Sequence, residues 1–195
     1  FSTHIPPYAM LRSLVGSEMC IRDSSSILVL VVVALDILKV IFIGDPEYWQ
    51  AMYIVPIILF ANFCLGIYQN LSVWYKVTDM TKFAAYISVV GATITLLLNI
   101  ILIPNYSFLG SAVATLIAYL TMALLSYAIG KKYYPIPYNA SKILFYILLS
   151  ISLSSISFYG FRDNILVGIA CIMVMNLVIL VKEKRQIIKL FNLIR

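Results

Sequence analysis

From Ser25 onward the chain alternates long apolar runs with short polar breaks: Ser25–Ile43, Ala51–Trp74, Phe83–Ile103, Phe108–Ile129, Ile143–Phe161 and Ile165–Val181. An α-helix rises about 1.5 Å per residue, so about 20 apolar residues cross a hydrocarbon core ~30 Å thick. Each run is long enough, and the pattern predicts an all-α, polytopic membrane protein of about six spans. The third and fourth runs are separated only by Pro104, Asn105, Tyr106 and Ser107, which predicts a helical hairpin. Pro104 is expected to end the first helix because it lacks an amide donor and crowds the preceding turn. Asn105, Tyr106 and Ser107 supply turn chemistry, and the second helix is expected to start near Leu109. Gly110, Ala114 and Ala118 then recur every fourth residue, a small-residue stripe that lets another helix come close in lipid.

Polar residues within these runs narrow the picture, because a polar group in lipid needs either a partner or water. In the third run Ala84, Ser88, Gly91, Ala92, Thr95 and Asn99 share one helix face, and in the second run Asn62, Gly66, Gln69 and Asn70 form a similar one. Such a face either lines a cavity or packs against a helix through interhelical hydrogen bonds. Asp36 and Lys39 are the ionisable residues well inside a predicted span, and at i, i+3 they meet on one face. Lys39 lies near the helix end and can snorkel, whereas Asp36 sits about 10 Å deeper and is short. Asp36 therefore reads either as part of an ion or proton relay, or a contact to substrate, or as half of a neutralising pair. The candidate substrate or ion pathway residues are Asp36, Lys39, Asn62, Gln69, Thr95 and Asn99.

Composition agrees with the periodicity: 63% of the 195 residues are hydrophobic, 11% are charged and the mean hydropathy is +1.00. No room remains for a soluble domain beside the spans. The net charge of +6 does not point to nucleic acid, since the basic residues lie between and after the apolar runs. The breaks at 75–82 and 130–142 and the tail after Val181 hold ten Lys and Arg, while the alternate breaks hold only Arg162. Basic residues are retained on the cytoplasmic side, so this bias predicts cytoplasmic lysine-bearing loops and a cytoplasmic C-terminus. The basic tail, 182–195, reads as a stop-transfer anchor or as a short interfacial helix on anionic lipid.

Catalytic material is scarce. Cys20, Cys64 and Cys171 are far apart and read as small packing residues, and His4 is the one histidine. Phosphate-binding glycine loops, paired carboxylates and nucleophile motifs are missing, so neither enzymatic activity nor a cofactor or metal is expected. Residues 1–24 break the pattern: they are mixed, charged and lack an apolar h-region. Ser13–Ser24, SLVGSEMCIRDS, resembles a translated sequencing adapter, so residues 1–24 are expected to be a non-native or artefactual segment that packs with none of the helices. The opening Phe1 likewise predicts a fragment of a longer protein. The organisation is then 1–24, a transmembrane domain over 25–181, and the basic tail at 182–195.

Four segments in fixed order carry a family resemblance: IFIGDPEYW (41–49), NLSVWYKVTDMTKFAAYISVVG (70–91), LNIILIP followed by LGSAVAT (98–115), and YYPIPY (133–138). Over most of Ser25–Tyr138 the chain resembles the C-terminal half of bacterial polysaccharide and lipopolysaccharide biosynthesis flippases, within the multidrug/oligosaccharidyl-lipid/polysaccharide exporter superfamily. The resemblance implies the C-terminal helices of a two-lobed transporter that flips a lipid-linked oligosaccharide across the inner membrane by alternating access. Its implied partners are that lipid-linked oligosaccharide, membrane lipids and the missing N-terminal helices of the same protein. The cationic cavity expected in such a transporter has no intramembrane arginine cluster here, and no substrate-binding residue is carried over. A multidrug or lipid II exporter of the same superfamily would share the fold. A membrane-embedded glycosyltransferase or polymerase should instead show a large outside loop with clustered Arg, His or Asp, which this sequence lacks.

Overall fold

The computed structural model describes residues 7–42, 52–73, 75, 80–133, 140–160 and 164–194. The helices are α1 (Pro7–Phe42), α2 (Val55–Leu71), α3 (Lys82–Tyr133), α4 (Ala140–Ser155), a π-helical turn at Ile156–Gly160, and α5 (Ile165–Ile194). No strand occurs among the described residues. Three helical segments are long and apolar enough to cross a membrane, Met52–Leu71, Lys82–Lys132 and Ser141–Gly160, and Leu166–Lys182 is a shorter apolar one. The first loop, with Asp45 and Glu47, lies outside the described residues, as does most of YYPIPY.

A straight helix of the 51 residues Lys82–Lys132 would run about 76 Å, more than twice a hydrocarbon core. It does not run straight, because Ser107 has φ 48° and ψ −127° and reverses the chain. Beyond it Gly110 comes back against the backbone of Leu102, and Gly91 against the side chain of Met122. Residues 82–106 and 108–133 are thus two antiparallel arms. The position of the break corrects the sequence reading. Pro104 does not end the first arm but lies inside helical backbone, whereas the second arm starts just after Ser107, near Leu109 as expected. A proline deletes one hydrogen bond, which a helix survives near its end, where carbonyls are short of donors in any case. The Asn105 side chain donates to the Ile101 carbonyl at 3.2 Å and covers one of them.

Helix α2 packs most extensively on α3, and α1 lies against α2, α4 and α5. Tyr68 of α2 meets Ile87 of the first arm and Met122 and Ala123 of the second. Along α1, Ile21, Ser25, Leu28, Val32 and Leu35 form a buried stripe at helical spacing, and Val29 is buried beside it. Leu28, Val32 and Leu35 join Phe63 of α2 and Phe158 of the π turn in one cluster. Val29 packs with Tyr146 of α4 and with Cys171 and Met175 of α5. Gly168 lets α5 approach α1 so closely that a Cβ there would stand 2.6 Å from Val33 Cγ1.

Within residues 1–24, Ile21 departs from the expectation that the segment packs with none of the helices. Backbone from Pro7 onward is continuous with the apolar run that starts at Ser25, and Ile21 is 3% exposed inside the cluster formed by Leu28 and Val32. Ile21 stands one heptad before Leu28, so a helix extended backward carries it onto the same face. Asp23 and Ser24–Ser26 are weak helix formers, but propagation from an existing helix needs no new nucleus. At the other end α5 runs through to Ile194, so the basic tail continues the last helix.

Candidate functional site

Lys39 Nζ donates to Asp36 Oδ1 at 2.5 Å across one turn of α1. Lys39 falls on the stripe of Leu28, Val32 and Leu35, which explains why its side chain is the more enclosed, 20% exposed against 38% for Asp36. Enclosure by neighbouring helices is a separate matter from the depth along the span at which Asp36 was expected to lie. Depth along the helix places Asp36 inward, but enclosure follows the helix face, and Asp36 lies one residue off the packed stripe.

The polar face of α2 stays open. Asn62 and Gln69 are exposed, and a Cβ on Gly66 between them would meet nothing within 4 Å. Asn70 turns inward along the helix and donates to the Gly66 carbonyl at 3.1 Å. On the first arm of α3, Ser88 and Ala92 are exposed while Thr95 and Asn99 are half-buried. Thr95 donates to the Gly91 carbonyl at 2.9 Å, whereas Asn99 Oδ1 is buried with no hydrogen-bond partner. The pathway candidates are therefore not gathered into one centre: Asp36 and Lys39 pair on α1, Asn62 and Gln69 share an unpacked face of α2, and Thr95 and Asn99 lie along the first arm. Gly110, Ala114 and Ala118 are all buried on the second arm.

Several features had no counterpart in the sequence reading. Ser26 Oγ donates to Asn176 Oδ1 at 3.3 Å, tying α1 to α5. Past the end of α2, Tyr75 OH donates to Tyr68 OH at 3.1 Å in a buried pair. Burial pushes the Tyr75 phenol up to about 12, against a lowering hydrogen bond from Ser72 and with a further rise from Tyr68. Ser126 Oγ and Ser154 Oγ are buried without hydrogen-bond partners, like Asn99 Oδ1. The serine-rich run Ser150–Ser157 was the visible signal for Ser154, but serine back-bonding to its own helix is common and dulls it. Cys64 and Cys171 are buried and unbridged as expected of packing residues, while Cys20 is exposed. Among the described residues no group of three or more His, Cys, Asp or Glu could hold a metal ion.

Two cavities lie between α2, the second arm of α3 and α4, the smaller one also bounded by Leu28 and Val32 of α1, and Phe60 lines both. One, of about 160 Å³, is bounded by Pro56, Leu116, Ser154 and Tyr159 at one end of the bundle. The other, of about 300 Å³, is an apolar groove bounded by Leu71, Ala123, Leu124, Tyr127, Ile143 and Ile147 towards the opposite end. Comparison with known proteins finds no matching family model, and no curated protein or solved structure with significant similarity. These regions hold apolar grooves, isolated carboxamides and hydroxyls, and the Asp36–Lys39 ion pair.

Proposed function

We propose that this chain is the C-terminal part of a flippase that moves a lipid-linked oligosaccharide, a polysaccharide or lipopolysaccharide precursor, across the bacterial inner membrane. In this reading α1, α2, the two arms of α3, α4 and α5 are six spans, with the lysine-bearing ends and the C-terminus in the cytoplasm. The observation that carries it is the open face of Asn62, Gly66 and Gln69. Carboxamides directed into lipid without partners are costly, so such a face calls for further helices or a water-filled path beside it. A missing N-terminal lobe facing a central cavity meets that need. The resemblance of LNIILIP and LGSAVAT to the flippase segments supplies the substrate class, and the buried Gly110, with its Leu102 neighbour, suits a tightly closed hairpin at that place.

The test is genetic complementation with the full-length reading frame. Deleting it should abolish surface polysaccharide and leave lipid-linked repeat units in the cytoplasmic leaflet, without altering drug susceptibility. Restored protein carrying Asn62→Leu with Gln69→Leu should export poorly at unchanged abundance. Asp36→Asn should also lower export, more than Lys39→Gln, because the short carboxylate lies about one helical turn deeper along the span and cannot snorkel, whatever its enclosure by the other helices. Normal surface polysaccharide in the deletion strain would refute the proposal, and drug hypersensitivity in its place would assign the chain to the multidrug branch.

A further inference from the structure

The larger cavity ends where lysines begin. On the second arm of α3 the groove is lined by Leu120, Ala123, Leu124 and Tyr127, and Lys131 stands one helical turn beyond Tyr127 on the same stripe. On α4 the first lining residue is Ile143, and Lys142, which is exposed, immediately precedes it. From α5, Lys182 Nζ sits 3.3 Å from the centroid of the Phe145 ring, next to the lining residue Leu144. Lys131 and Lys142 thus lie at two helix ends just beyond the lining residues, at one mouth of an apolar groove whose lining includes no carboxylate, while Lys182 stands midway along α5 against the Phe145 face of α4. A long lysine stem can lie along apolar surface and hold its charge at the interface. The exposed Leu120, Leu124 and Leu144 flank the groove, so it opens sideways rather than into the core.

We propose that this groove is a binding site for an anionic phospholipid of the surrounding bilayer, with one acyl chain against Leu124 and Ile147 and the phosphate between Lys131 and Lys142. The charge pattern selects the occupant. A second helix would satisfy the apolar lining but would gain nothing from the lysines, and a zwitterionic lipid would gain only part of it. Basic pockets between spans on the cytoplasmic side take anionic headgroups by this logic. The lipid proposed here stays in the bilayer and is not cargo, so the site stands whether or not the chain belongs to a flippase.

Thermal unfolding of the full chain in detergent, titrated separately with dioleoyl phosphatidylglycerol and dioleoyl phosphatidylcholine, tests the site. Phosphatidylglycerol should bind about tenfold more tightly, since each lysine near an anionic surface contributes and two act together. Lys131→Gln with Lys142→Gln should bring its affinity down to that of phosphatidylcholine. Leu120→Trp and Leu124→Trp, both at exposed positions where folding is not at risk, should fill the groove and weaken both lipids. Equal stabilisation by the two lipids would overturn the proposal, as would a preference that survives the double lysine variant or tryptophan variants that respond like the parent. Undecaprenyl phosphate outcompeting phosphatidylglycerol at equal concentration would also overturn it and would make the groove part of a substrate path.

Discussion

Gly110 and Leu102 touch through their backbones: a Cβ added to Gly110 would lie 2.6 Å from the Leu102 carbonyl oxygen and 2.7 Å from its carbonyl carbon. Backbone cannot swing aside as a side chain can, so the two arms of α3 must part if Gly110 gains even a methyl group. Gly110→Ala should therefore destabilise the protein by about 1–3 kcal/mol. Gly91→Ala meets only the flexible thioether of Met122 and should cost clearly less. Ala114→Leu, at a position with no exposed surface, should behave like Gly110→Ala, whereas Leu116→Ala should be milder. Thermal unfolding of the four variants in one detergent gives the ranking, and equal losses at Gly110 and Gly91 would contradict the backbone contact.

Ser107 is the one residue other than glycine with positive φ among the described residues. A φ of 48° with ψ of −127° crowds the Cβ of any L side chain, and glycine escapes this. Ser107→Gly should stabilise by about 1 kcal/mol, the relief of strain exceeding the added freedom of the unfolded chain. Ser107→Val should destabilise, and a Ser107→Gly protein that melts earlier than the parent would show that the reversal lies elsewhere.

Ile21 and Cys20 are sequence neighbours with opposite surroundings, one in the core cluster and the other exposed. Ile21→Ala should cost about 2–4 kcal/mol, while Cys20→Ala should change little. Equal behaviour would mean that the segment before Ser25 does not pack against the helices. Recovering Ser13–Ser24 in frame from genomic DNA is a separate matter and would dispose of the adapter reading.

The Tyr75 phenol is held neutral by burial, with its folded pKa raised to about 12 above the ordinary value of 10.0. A raised pKa contributes stability that is complete below the unfolded value and is lost as pH climbs through the folded one. Alkaline loss of stability should accordingly fall between about pH 10 and pH 12. Tyr75→Phe should flatten it, and a profile unchanged by that substitution would place the effect on another group.

The proposed orientation, with the lysine-bearing ends in the cytoplasm, can be tested by labelling. Asn105, on the hairpin turn, and Ser141, at the start of α4, are both exposed. In intact cells a cysteine introduced at Asn105 should react with a membrane-impermeant thiol reagent and one at Ser141 should not. The reverse labelling would invert the topology.

Apolar runs of about 20 residues with polar breaks determined by themselves that the chain is helical with segments long and apolar enough to cross a membrane, because run length against bilayer thickness needs no partner to be meaningful. The hairpin at 104–107 and the small stripe at Gly110, Ala114 and Ala118 were legible for the same reason: turn chemistry and four-residue spacing are local. Other features depended on where helices meet. Whether the reversal falls at Pro104 or Ser107 depends on the Gly110–Leu102 contact, which propensity cannot see. Whether Asp36 or Lys39 is enclosed depends on which face of α1 meets α2, α4 and α5. Ile21 looked foreign by composition, yet helix continuity and a one-heptad offset from Leu28 place it in the core. The groove beside Lys131 and Lys142 joins residues from three helices. Such a site arises from the gaps between side chains distant in sequence, so only the tertiary structure could decide it.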